Sequence, residues 1–103
     1  MIPEIIERSA ELAALCKEFD VRRLEVFGSA ATGAFRPADS DLDFLVEFEA
    51  ETAGQGYADR YFGLLEGLEQ LFSRRVDLLV SSAIKNPYFL ESVEQSKALL
   101  YAA

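Results

Sequence analysis

Phe27-Gly28-Ser29-Ala30-Ala31-Thr32-Gly33 and, a short way on, Ser40-Asp41-Leu42-Asp43-Phe44-Leu45-Val46 are the two stretches that decide how this chain folds. The first closes a strand. From Arg22 to Phe27 the residues alternate, with Leu24 and Val26 on one face and Arg23, Glu25 and Phe27 on the other. The alternation stops at Gly28-Ser29, and the small residues that follow suit a short helical turn. A strand, a glycine and a helical turn together aim backbone N–H groups at an anion. The second stretch opens another strand, reached through a loop at Pro37 to Ser40. Between Asp41 and Phe48, Leu42, Phe44, Val46 and Phe48 share one face, and Asp41, Asp43, Leu45 and Glu47 share the other. Residues two apart on a strand point the same way, about 6–7 Å apart, so Asp41 and Asp43 project together. Taken alone, such a pair is most often a solvated polar face opposite a core.

Working outward, Arg75 to Val80 reads as a third strand, with Val76, Leu78 and Val80 opposite Asp77 and Leu79. Ile2, Ile5, Ile6, Leu12, Leu15, Cys16 and Phe19 recur at helical spacing, and Pro3 suits a first turn. Tyr57 to Phe72 has the same period through Tyr61, Leu64, Leu65, Leu68, Leu71 and Phe72, after a polar connection from Glu49 to Gly56. Asn86-Pro87 opens a last amphipathic helix carrying Phe89, Leu90, Val93, Leu99 and Leu100. The expected order is αβαβαβα. It belongs to the α/β (α+β) class: a small mixed sheet with helices covering its apolar face, and Phe27, Asp41, Asp43 and Asp77 on the face left open. The 103 residues are read as one domain, 1–103.

Composition removes whole classes of chemistry. The chain has no histidine and one cysteine, which excludes His/Cys zinc sites, the Ser-His-Asp triad, Cys-His nucleophiles and an internal disulfide. Cys16 falls on an apolar stripe and reads as a buried, inert thiol. Ten Lys and Arg against eighteen Asp and Glu give a net charge of −8, the wrong sign for tracking a long nucleic acid. No apolar run suggests a membrane span, and the start Met-Ile-Pro-Glu lacks the features of a signal peptide. The expected location is the cytoplasm.

What remains is carboxylate chemistry. Asp77 lies on the strand face that matches Asp41 and Asp43, and three close carboxylates raise one another's pKa unless a cation joins them. Oxygen-only donors select hard ions, magnesium first and manganese second. The Gly28-Ser29 turn is placed to hold phosphate beside such an ion.

The Gly-Ser, the Asp-x-Asp about ten residues later, and Arg75-Val76-Asp77-Leu78-Leu79 together resemble the signature of the polymerase-beta-type nucleotidyltransferase superfamily. Over nearly the whole chain, down to Ile84-Lys85-Asn86-Pro87-Tyr88-Phe89, the resemblance is to its small prokaryotic branch, the minimal nucleotidyltransferases (MNT). That resemblance implies roles. Asp41 and Asp43 bind two magnesium ions; Asp77 holds the second and deprotonates or orients the attacking hydroxyl. Gly28 offers its amide, and Ser29 its hydroxyl, to the β- and γ-phosphates of ATP or another NTP. Minimal members are often antitoxins that attach AMP to a tyrosine of a HEPN-type toxin partner, which gives the expected function here. The alternatives are a non-catalytic binding module of the same fold and, third, nucleotidyl transfer to a small molecule. Two departures bear on activity. Eleven residues separate Ser29 from Asp41, and Thr32 stands where relatives often carry an arginine, which points to weak nucleotide binding or to use of Arg36. The helical stripes read as core, while Tyr57, Tyr61, Tyr88 and Tyr101 are candidate contacts for a partner or a second copy.

Overall fold

The computed structural model describes residues 2–32, 41–49 and 56–103. Its elements are α1 (Pro3–Glu7), α2 (Ser9–Glu18), β1 (Val21–Phe27), α3 (Ser29–Thr32), β2 (Leu42–Phe48), α4 (Tyr57–Phe72), β3 (Val76–Val80), a 3-10 turn (Ser81–Ala83), α5 (Pro87–Ser96) and β4 (Ala98–Ala102). The expected loops at Pro37 to Ser40 and from Ala50 to Gln55 lie outside the described residues, as do Arg36 and Ser40.

The four strands form one sheet in the order β3-β2-β1-β4. β2 runs antiparallel to β1 and parallel to β3, while β4 is antiparallel to β1. Leu24, Val26, Leu42, Phe44 and Val46 are completely buried on one face, against Ile5 of α1, Leu12 and Cys16 of α2, and Leu64, Leu68 and Phe72 of α4. This is the packing that the alternating strands and the helical stripes predict. Phe44 stacks on Phe72 with ring centroids 6.1 Å apart. Burial pushes the Cys16 thiol up to about 12, in keeping with an inert core residue. At Gly63 a methyl group would lie 2.3 Å from the Phe19 ring; glycine there lets α4 lie close against the end of α2.

The chain differs from the expected order in three places. The first helical stretch is two helices, broken where Arg8 leaves helical geometry at φ −102 and ψ 17. The last helix ends at Ser96, and Leu99 and Leu100 belong to a fourth strand. Lys97 adopts an extended conformation, φ −67 and ψ 147, and β4 then fills the open edge of β1, pairing Ala98 with Val26 and Leu99 with Glu25. A run of five apolar residues, Ala98 to Ala102, fits either period; the unpaired backbone of β1 decides between them. Finally, α5 lies over the second face, where its Val93 joins Phe27 and Leu45 in a small separate core. Its start is as the sequence predicts: Pro87 occupies the first turn, and Asn86 Oδ1 accepts hydrogen bonds from the amides of Tyr88 (2.9 Å) and Phe89 (3.3 Å).

Candidate active site

The second face of the sheet is where the acids gather. Phe27 pairs with Asp43, and Asp43 with Asp77, so the two carboxylates sit side by side on neighbouring parallel strands. Strands are about 4.8 Å apart, and paired residues point to the same side. Asp41 immediately precedes β2, one residue outside the ladder, and is half-buried; Asp77 is exposed. The strand alternation therefore brings Asp43 and Asp77 together as expected, on the face opposite the main core.

Electrostatics record the crowding. Asp43 is pushed up to about 6, by burial first and then by the charges of Asp77 and Asp41. Each raises the cost of a second negative charge in a half-buried place. Among the described residues, no three acidic, histidine or cysteine side chains already stand close enough to form a metal cage. Asp77 and Asp41 act on the charge of Asp43 from outside such a cage. Their donor set, oxygen only and anionic, fits magnesium.

Gly28 supplies the next wall. Its φ of +70 is a backbone conformation that favours glycine, and a methyl group added there would meet Asp43 Oδ2 at 2.7 Å. The turn and the carboxylate are thus in direct apposition. The carbonyl of Gly28 accepts hydrogen bonds from the amides of Ala31 (3.1 Å) and Thr32 (3.2 Å), winding α3 immediately behind it. The Thr32 hydroxyl donates to the same carbonyl at 3.3 Å. Ser29, half-buried, opens that turn. Its amide and that of Ala30 lie in the first turn, where no acceptor exists within the helix.

One role implied by the resemblance is altered. The Gly28 amide does not point at open solvent: it donates to Ser96 Oγ at 3.1 Å. What the glycine provides here is left-handed backbone and clearance for Asp43. Ser96 escapes sequence reasoning because the contact joins residues 68 apart and serine at the end of a helix is unremarkable.

Glu25 escapes it too. Only 5% exposed, it lies on the same face as Asp43, two residues along β1 from Phe27. Lys97 (3.4 Å) and Arg23 (3.5 Å) flank its carboxylate, and Lys97 also reaches Glu94 at 2.9 Å. The sequence reading leaves Glu25 on an open face, where an acid needs no partner; the helix that buries it, α5, and Lys97 at its end come to that face only in the assembled fold. Tyr61 is half-buried and donates to the Leu78 carbonyl at 2.6 Å. Burial, then Tyr57 and Asp77 nearby, raise its phenol, and its ring packs partly against the main core. Of the other tyrosines, Tyr88 is 82% exposed and Tyr101 packs partly against the core.

No helix among the described residues is long and apolar enough to cross a membrane.

Residues 10–100 match the family model of a nucleotidyltransferase domain. A candidate protein adenylyltransferase of Methanocaldococcus jannaschii is 33% identical over 94 residues, 91% of this chain and 89% of that protein. The protein adenylyltransferase MntA of Thermococcus cleftensis is 37% identical over 78 residues, 76% of this chain and 74% of that one. Among solved structures, one described as a candidate minimal nucleotidyltransferase superposes with a TM-score of 0.73 at 33% identity, covering 90% of this chain and 89% of its own. A tri-AMPylated HEPN toxin of Shewanella oneidensis in complex with its MNT antitoxin matches with a TM-score of 0.65 at 16% identity, covering 96% of this chain and 73% of that one. At that identity the likeness is one of fold.

Proposed function

The chain belongs to the nucleotidyltransferase domain family, and on that footing we propose that it moves AMP from ATP onto a hydroxyl of a protein acceptor, a HEPN-type toxin that it silences. The observation that carries the reading is the register Asp43↔Asp77 on the second face of the sheet, with Gly28 of the turn against Asp43. Two relatives that the chain matches over most of their length bear the name protein adenylyltransferase. The MNT neighbour was captured with a HEPN toxin that is AMPylated.

In this reading the acceptor oxygen attacks the α-phosphorus. A new P–O bond forms, the bond to the β-phosphate breaks, and pyrophosphate leaves with its electrons. Asp41, Asp43 and Asp77 would hold magnesium. When bound, the ions supply the positive charge that stabilises the attacking and leaving oxygens. Asp77, exposed on β3, orients the hydroxyl and takes its proton. The Ser29 hydroxyl and the first-turn amides bind the β- and γ-phosphates. Catalysis of this kind rests on position and charge, which suits a chain without histidine.

Thr32 favours a second reading, a binding module that acts by contact alone. Its short side chain turns back onto the Gly28 carbonyl where relatives often carry an arginine. One experiment separates the two: incubation of the protein with α-labelled ATP, magnesium and a HEPN-type toxin. Label on a tyrosine of the partner, lost in Asp43→Asn and in Asp77→Asn, supports transfer. A stable complex that never takes label supports the module and overturns the enzyme.

A further inference from the structure

We propose that Ser96 is a positioning residue of the phosphate-binding turn: from the far end of α5, its hydroxyl fixes the Gly28 amide and thereby holds Ser29 in place beside Asp43. This rests on the nucleotidyl-transfer reading of the site.

The Gly28 N–H needs an acceptor that the sheet does not supply. The β1–β2 ladder ends with Phe27↔Asp43, and β4 reaches only as far along β1 as Val26. Ser96 Oγ meets the amide at 3.1 Å. The hydroxyl is itself oriented by its own helix, with the carbonyls of Ser92 (3.4 Å) and Val93 (3.5 Å) to donate to, so a lone pair is left for Gly28. The other half of the residue is held by α3, through the bonds of Ala31 and Thr32 to the Gly28 carbonyl. Gly28 is therefore gripped at both ends in its left-handed conformation, with α5 on the amide and α3 on the carbonyl.

Anchoring α5 does not require this bond. Val93 is buried in the second core, Phe89 meets the Phe27 ring edge-on at 6.2 Å, and Lys97 ties the helix end to Glu25. What the Ser96 hydroxyl adds is local to the turn. Without it a glycine, the residue with the widest backbone freedom, loses the long-range hydrogen bond that the described residues give its amide. Ser29 is next in the chain.

The test is Ser96→Ala, with Ser96→Thr to restore the hydroxyl, read by Mg–ATP affinity, by the split of KM from kcat, and by hydrogen exchange at the Gly28 amide. In Ser96→Ala, Mg–ATP binding weakens about fivefold, the size of one lost hydrogen bond. The KM for ATP rises by the same factor with little change in kcat, and Gly28 exchanges faster. Ser96→Thr returns all three towards wild type. Should the alanine variant fail to fold, Ser96→Cys, close in size with a weak sulfur acceptor, carries the same measurements. A fall in melting temperature with unchanged affinity and unchanged Gly28 exchange overturns the proposal, because it leaves Ser96 a merely structural role. Affinity and exchange are read without the acceptor. If wild type labels no partner yet Ser96→Ala still weakens Mg–ATP binding, the transfer reading fails and the role of Ser96 stands. If wild type labels its partner and Ser96→Ala binds and exchanges as wild type does, the reverse holds.

Discussion

On the side of the sheet turned to α2 and α4, five strand residues, Leu24, Val26, Leu42, Phe44 and Val46, have no exposed surface. On the other side the same strands interleave Phe27, Leu45 and Leu79 with Glu25, Asp43 and Asp77. The first side gains from every apolar contact and holds nothing that reacts. The second places charges near one another in partly dry surroundings, which costs stability. Substitutions on the two sides should therefore separate stability from chemistry, and in one case move them in opposite directions.

The largest effect belongs to the apolar side. Phe44→Ala removes a fully buried ring stacked on Phe72 and costs about 3–5 kcal/mol, much of what a domain of this size has to spare. A urea melt should show the midpoint fall without a change in the residual activity per folded molecule. Activity lost while the melt stays put would break the division between the faces.

Gly28→Ala comes next. The left-handed backbone costs a side chain about 1–2 kcal/mol, and the new methyl group must push Asp43 Oδ2 away from 2.7 Å. Label transfer should fall much further than stability, since the displaced atom is the proposed ligand. A variant that loses the predicted stability but keeps its transfer rate would show that Asp43 tolerates movement. Asn86→Ala, at the mouth of α5, tests the support of the second face from a distance. Two amides lose their acceptor, so stability should fall by about 1 kcal/mol in a thermal melt, with the affinity for Mg–ATP unaltered.

How far the sequence reveals each face follows the same division. The apolar side was legible because period carries its information: Leu42-x-Phe44-x-Val46 can bury its face in only one way. Asp43 and Asp77 were legible for the same reason, being the other half of that alternation. Ser96 and Lys97 were not. Both act across the fold, one on Gly28 and the other on Glu25, and no local pattern announces a contact between residues so far apart. The end of α5 was misread for a related reason: Ala98 to Ala102 becomes a strand only because β1 offers an edge to it. Local period specifies the layers; the second face is completed by pairings that only the assembled chain supplies.

The smallest effect is the one with reversed sign. Asp43 titrates near 6 in the fold against 3.8 ordinarily, so between those values the folded protein binds more protons than the unfolded chain. By linkage, the contribution of Asp43 to the stability of the metal-free protein falls as pH rises from 4 through 6, and it is greatest where Asp43 is protonated. Asp43→Asn removes the charge that Asp77 and Asp41 oppose. At pH 7.5 without magnesium the variant should be more stable than wild type. Because Asp43 keeps partial access to water, the gain is roughly 1 kcal/mol, a rise in melting temperature of about 4–8 °C, and the same change abolishes transfer. Across pH 4 to 6 the wild-type melting temperature should decline more steeply than that of the variant. Magnesium should recover the difference in wild type alone, since only wild type carries the full set of charges for the ion to neutralise. Equal melting temperatures for the two proteins at both pH values would mean that the carboxylates on β2 and β3 do not strain one another, and the contrast between the faces would then rest on shape alone.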